Sequence, residues 1–350
     1  MSASVHIVAV AARTPVGLTA EESAASVRAG ISRLQLHPFM VNGLGKPLRC
    51  ARDGLLEAGT QGLSRLRVLA TAVLEELRRK LGTLEAPRLL LVLPESRPGF
   101  SEADALSMVE ALTSDRGTGS WSPRVELGGR GHAGVLQALE VAEQRLISGS
   151  EELSVVLGVD SYHDADSLDW LASQFRLAGE GARTGFIPGE AAAGLVLARS
   201  SLQRKLGLVS LARVRGVGTA TETRLIHGDE EVLGKGLARA IQGATRGLKL
   251  PDEALDSVYC DLNGERYRTE EWGFALLRTQ RVLRDSSCVA PVDCWGDVGA
   301  ASGALSCVLA TQAWARKYAK GPRALVWGGS ESGLRAAAVL ESSSDPARRA

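Results

Sequence analysis

The sequence predicts an α/β fold with mainly parallel strands. Short apolar runs recur along the chain, and they are continuous rather than alternating, as strands covered on both faces require. Between them lie longer stretches whose apolar residues fall on one helical face. Such alternation of strand and helix supports helical crossovers between neighbouring strands. With 350 residues, 45% of them apolar, there is material for two average domains or one large two-lobed one.

Taken in order, the expected strands are 5–11, 88–93, 153–159, 258–262 and 324–327, each short and β-rich or continuously apolar. A helix is expected after His132, where Val135, Leu139, Ala142 and Leu146 are spaced 4, 3 and 4. Another carries Leu233, Leu237, Ile241, Ala244 and Leu248 on one face. A break at 203–207 separates a strand ending at Leu197-Ala198 from a new strand at 208–214, which divides the chain into residues 1–205 and 206–341. The small, polar tail 342–350 is expected to be disordered. No tandem repeat of about 20–50 residues is visible, which argues against solenoids and propellers.

Lys plus Arg number 41 and Asp plus Glu 40, so a net charge of +1 gives no steering toward nucleic acid or an anionic membrane. The opening Met1-Ser2-Ala3-Ser4-Val5-His6 lacks the pattern of a signal peptide, and no apolar stretch approaches the roughly 20 residues of a membrane span. The expectation is a cytoplasmic protein. Cys50, Cys260, Cys288, Cys294 and Cys307 form no CxxC pair, so they are read as thiols rather than a disulfide framework or zinc site. No metal and no cofactor is implied.

Several segments resemble β-ketoacyl synthases. The opening Val8-Ala9-Val10-Ala11-Ala12-Arg13-Thr14-Pro15-Val16-Gly17 is similar to their first strand and loop, with a first helix following at 21–29. Gly158-Val159-Asp160-Ser161 is similar to a glycine-rich strand end, and residues 183–193, containing Gly185-Phe186-Ile187-Pro188-Gly189-Glu190, to an RDGFxxGEGAA segment. Gly299-Ala300-Ala301-Ser302-Gly303 resembles GAAG, and Trp327-Gly328-Gly329-Ser330 resembles FGGT. The resemblance runs from about residue 5 to 341 and implies a thiolase-like fold: a five-layer αβαβα sandwich built from two related halves, commonly dimerised through a central strand.

The same resemblance locates the chemistry, and there the residues differ. Leu136-Gln137-Ala138-Leu139 sets a register in which His132 takes the position of the family's catalytic cysteine. Asn263 and Asp297 take the positions of its two histidines, and Val292 that of its lysine. Condensation needs a thiolate to carry the acyl group and histidines to stabilise the enolate and oxyanion. Asn263 can still donate a hydrogen bond, whereas an ionised Asp297 accepts only and repels a developing enolate. By the resemblance, the backbone N–H groups of His132 and Trp327 correspond to the oxyanion donors, Gly328 and Gly329 belong to the same oxyanion pocket, and Trp327 replaces a gating phenylalanine.

These substitutions leave three functional classes open. The first is a catalytically inactive partner, scaffold or adaptor, with an active ketosynthase or an acyl carrier protein as partner and a homodimer or heterodimer as the assembly. The second is an acyltransferase or thioester hydrolase in which His132, oriented by Asp297, acts as base or acyl acceptor. The third is a non-catalytic acyl-chain or carrier-protein binder, which a large apolar tunnel beneath residue 132 would favour. Of the remaining residues, Cys260 and Cys294 are expected in the core, Glu190 as a buried structural carboxylate, and His163, Asp164 and Asp166 on a solvated polar turn rather than around a metal.

Overall fold

The structure is a computed structural model that describes residues 4–42, 45–82, 87–114, 124–179, 184–225 and 233–343. Arg183 and residues 344–350 of the tail lie outside the described residues, and Ser342 ends the last strand. The chain opens with β1 (Val5–Arg13), α1 (Ala20–Arg28) and a hairpin of β2 (Leu34–Val41) and β3 (Pro47–Ala51). It continues through α2 (Gly62–Leu81), β4 (Arg88–Leu93), α3 (Glu102–Ser114), β5 (Arg124–Arg130), α4 (Gly134–Ser148), β6 (Leu153–Ser161), α5 (Ala165–Ser173) and β7 (Glu190–Arg199). The short α6 (Ser200–Lys205) leads to β8 (Ala212–Thr221), α7 (Lys235–Thr245), β9 (Ser257–Cys260), α8 (Arg266–Thr279) and β10 (Cys288–Val289). The last elements are α9 (Val292–Trp295), α10 (Ser302–Ala315), β11 (Arg323–Gly329) and β12 (Leu334–Ser342).

Ten strands join in the order β10-β9-β11-β12-β8-β1-β7-β6-β4-β5. The order contains one pattern twice. Strands β5-β4-β6-β7-β1 pair parallel, parallel, antiparallel, antiparallel, and β10-β9-β11-β12-β8 pair in the same way. The two groups meet edge to edge through three residue pairs only, Val5↔Val214, His6↔Arg213 and Ile7↔Ala212. The sheet is therefore mixed, not mainly parallel: β7 and β12 return antiparallel beside β6 and β11, and a continuously apolar run such as 190–199 carries no sign of its direction.

Side-chain parity divides the apolar core into three helical layers. Leu89, Leu91 and Leu93 of β4 and Val155, Leu157 and Val159 of β6 face α2 and α3. Leu90, Val92 and Val156 face the opposite way, onto α4 and α10. The second group repeats this, with Ala324, Val326, Ala336 and Ala338 toward the same central helices and Leu325, Val339 and Trp327 toward α7 and α8. Helix, sheet, helix, sheet, helix is the resulting order of layers. Helix α10 is buried from Gly303 to Ala313, as a helix with no polar face must be.

Local departures from expectation have local causes. The strand expected at 208–214 begins at Ala212, because Val209 points to solvent and only Leu211 onward is tied to β1, its N–H reaching Ile7 O at 2.8 Å. The break at 203–207 falls on the end of α6 and the turn after it. His163 is not on a solvated turn: it is buried, bonds Ala51 O through Nε2 at 3.0 Å and stacks on His37, while Asp164 caps α5. No helix among the described residues is long and apolar enough to cross a membrane.

Candidate functional site

Three loops at the strand ends converge on one point. After β5 the chain turns through Gly131, whose φ of 65° and closeness to Glu95 (an added Cβ would sit 2.6 Å from Oε2) exclude any side chain. His132 follows, and Ala133 N–H donates to Ser330 Oγ at 3.0 Å before α4 begins. After β9, the loop 261–265 presents Asn263. After α9, Asp297 is clasped by the segment around Gly189: its N–H reaches Ile187 O and its carbonyl accepts from Gly189 N–H, both at 2.8 Å.

The three side chains meet. His132 Nε2 lies 2.8 Å from Asp297 Oδ1, and Asn263 Nδ2 donates to Asp297 Oδ2 at 2.6 Å. Asp297 Oδ1 also accepts from Gly299 N–H at 2.8 Å. His132, Asn263 and Asp297 are 3%, 5% and 3% exposed, so each depends on the others for its polar contacts.

Charge follows from that geometry. Burial alone would lower the pKa of His132, and the N-terminus of α4 also disfavours a cation, but the adjoining Asp297 carboxylate outweighs burial and raises it above 6.5. Burial pushes Asp297 upward, yet His132, Arg268 and the Asn263 hydrogen bond hold it well below the ordinary carboxylate range. The pairing thus favours a protonated imidazole beside an ionised Asp297 carboxylate.

The sign of its pH dependence is fixed. The raised His132 contributes stability that is complete below about pH 6.5 and is lost as pH climbs through its elevated value; the lowered Asp297 contributes stability lost only as pH falls below about 3.8. Burial lowers His37 and His163, so these two weaken the fold in acid and oppose this trend. The difference between wild type and His132→Gln isolates the pair: it is expected to be largest between about pH 4 and 6.5 and to shrink above, read from denaturant midpoints across pH.

A shell of further ion pairs surrounds the centre. Glu265 accepts from Asn263 Nδ2 at 3.0 Å and from Arg176 Nε at 2.7 Å, and Arg176 also bridges to Glu331 at 2.7 Å. Arg268 pairs with Asp261 at 2.9 Å and donates to Gly329 O, while Gly329 N–H donates to Asp261. The amide of Gly329, in the expected oxyanion pocket, is thus already engaged. Gly328 has no room for a Cβ, which would approach His132 O to 3.0 Å. Trp327 does not stand in a channel: its indole is buried in the outer core and stacks on Trp272 at 5.1 Å.

Two cavities reach these residues. One of about 90 Å³ touches His132 and is lined by polar groups, among them Glu95, Arg97, Asp160 and Glu331. The other, about 20 Å³, lies against Cys260 and Asp297 and is large enough for water only. Both are well below the roughly 300–1,000 Å³ of small-molecule sites. Cys260 and Cys294 are buried, with burial raising both thiols, so neither has the character of a reactive thiolate.

Sequence reasoning reached the three central residues and missed the shell. Glu265 and Arg268 stand close to Asn263 in the chain, but Arg176, 89 residues from Glu265, leaves no local signal. Asp160, within the noted glycine-rich strand end, pairs with Arg97 at 2.7 Å and accepts from Ala300 N–H.

Neither a protein-family description nor a curated protein sequence matches the chain. Solved structures do. The ishigamide ketosynthase/chain length factor aligns with a TM-score of 0.79 at 16% identity, over 98% of this chain and 100% of that one. AntDE:AntF, a type II polyketide acyl-carrier protein in complex with its ketosynthase, aligns at 0.78 and 13% over 98% and 100%. The ketosynthase ApeO in complex with its chain length factor ApeC, from Xenorhabdus doucetiae, aligns at 0.71 and 15% over 97% and 98%. The chain has the thiolase-like fold of ketosynthases and chain length factors, and at these identities it is the fold that the likeness establishes.

Proposed function

We propose that this protein is a non-catalytic ketosynthase-fold partner, scaffold or adaptor of a cytoplasmic biosynthetic assembly. One observation supports the reading: at the positions that the sequence resemblance matches to a ketosynthase's reactive groups, the Asp297 carboxylate is bound by both His132 Nε2 and Asn263 Nδ2, and none of the three residues is a thiol. Residues 1–205 and 206–341 are then the two related halves. An acyl carrier protein or an active ketosynthase is the favoured partner, in a homodimer or heterodimer, by analogy with neighbours of the same fold whose structures contain such pairs.

The cavity beside His132 gives a second reading, acyl transfer or thioester hydrolysis, its one supporting observation. His132 Nε2, bound to the Asp297 carboxylate, has no lone pair to act as base or acyl acceptor, so such chemistry would fall to Nδ1 alone, and only while that nitrogen is unprotonated. A cavity this small and polar also favours the scaffold over an acyl-chain binder.

Incubating the full chain with acyl-CoA and acyl-carrier-protein thioesters, followed by intact mass measurement and thioester assay, separates these readings. The expected result is no added acyl mass and no thioester consumption. Turnover that His132→Ala abolishes would replace the scaffold with the enzyme.

A further inference from the structure

Away from His132, a cavity of about 270 Å³ opens where the C-terminal ends of α1 and α10 meet. Ala24, Ala25 and Ala29 form its apolar side, and Arg28, Gln312, Arg316 and Tyr318 its polar side. The Arg28 guanidinium lies over the Tyr318 ring, 4.2 Å from the centroid.

Arginines at helix C-termini have an ordinary role in meeting the dipole and the free carbonyls. Here most of those carbonyls are already served by backbone N–H groups. Ala29 N–H and Gly30 N–H reach the oxygens of Ala25 and Val27, and the N–H groups of Arg316, Lys317 and Tyr318 reach those of Gln312, Trp314 and Ala313. Among the described residues neither guanidinium forms a salt bridge; Glu21, on α1, is bound to Lys80 at 3.0 Å and reaches Arg316 only through a longer-range attraction.

Gln312 is the second observation. It is 6% exposed, it lines the cavity, and among the described residues its carboxamide has no hydrogen-bond partner. A polar side chain set this deep in the fold, with its amide open to the cavity, is placed to bond whatever occupies it. Lys317 adds a local strain: its φ of 61° is a left-handed conformation unusual for a non-glycine residue, and it turns the chain so that Tyr318 comes back beneath Arg28.

We propose that this cavity binds a small organic anion, with a carboxylate or phosphate between Arg28 and Arg316, a hydrogen bond from Gln312, and an apolar body against the alanines and Tyr318. Two guanidiniums suit a planar or tetrahedral anionic head group, and the alanine side excludes a purely hydrated ion as the best occupant. The site is independent of how His132 is read.

Phenyl phosphate, benzoate and inorganic phosphate titrated calorimetrically into the full chain test it. Saturable binding of phenyl phosphate or benzoate, one per chain and weaker at high salt, is expected, with inorganic phosphate at least about tenfold weaker. Which organic anion binds identifies the head group. Arg28→Ala/Arg316→Ala should weaken binding at least about tenfold, and because both side chains are exposed and neither forms a salt bridge its melting temperature should stay close to wild type. A second variant, Gln312→Leu, should weaken binding without disturbing the arginines. No saturable binding of either organic anion, equal binding of inorganic phosphate, or undiminished binding by the double variant would overturn the proposal.

Discussion

Asp297→Ala is expected to destabilise the fold by about 3–5 kcal/mol at pH 6, because it removes the acceptor of His132, Asn263 and Gly299 together and leaves a buried cation without its counterion. Imidazole can escape part of that cost by losing its proton, so the loss should be smaller at pH 8 than at pH 6. Asp297→Asn keeps an acceptor for one neighbour but sets its own NH2 against another donor, and should fall between the alanine variant and wild type. A double-mutant cycle with His132→Gln should return a coupling energy of about 1–3 kcal/mol. Denaturant midpoints at the two pH values measure all of this, and a pH-independent loss would contradict the ion pair.

Glu190→Ala is the second large effect, expected at about 3–5 kcal/mol and without the pH relief open to a histidine. Glu190 and Arg65 are both fully buried in one ion pair. Glu190 Oε1 accepts from Arg65 at 2.6 Å and from Asp53 N–H at 2.7 Å, and Oε2 accepts from Ser161 Oγ at 3.0 Å. Arg65 in turn donates to the carbonyls of Glu57 and Thr60, so the pair ties the segment before α2 to the start of β7. Arginine cannot neutralise itself, and its stranded charge is the larger part of the penalty. The paired change Arg65→Met/Glu190→Leu should cost about 1–3 kcal/mol, the residue of unserved donors at Asp53 and Ser161. Equal losses in the single and double variants would contradict this partition.

The two cases differ in how far they could be read from the chain. Glu190 lies in a segment whose resemblance marks it as structural, but Arg65 is 125 positions away and carries no local sign. Strands such as 88–93 were legible because burial on both faces leaves an unbroken apolar run. Their direction was not, since β7 reads like a parallel strand and pairs antiparallel to both neighbours. Helix α10 lacks a period because it has no solvent face, so its place at the centre follows only once both sheets are in view. At the site, a register carried from three separate loops brought His132, Asn263 and Asp297 to one point, and they do touch. Trp327 was harder: strand parity sends its indole to the opposite face of the sheet, which the glycines after it do not reveal.

The central claim is that Asp297 binds His132 Nε2 and raises the imidazole above its ordinary pKa. Nitrogen NMR of His132 in the full chain, titrated between about pH 5 and 9, tests this most directly. The ring's transition should lie above 6.5 and should fall in Asp297→Asn. A ring titrating at or below 6.5, unmoved in Asp297→Asn, would contradict the lock and return His132 to the position of a working base.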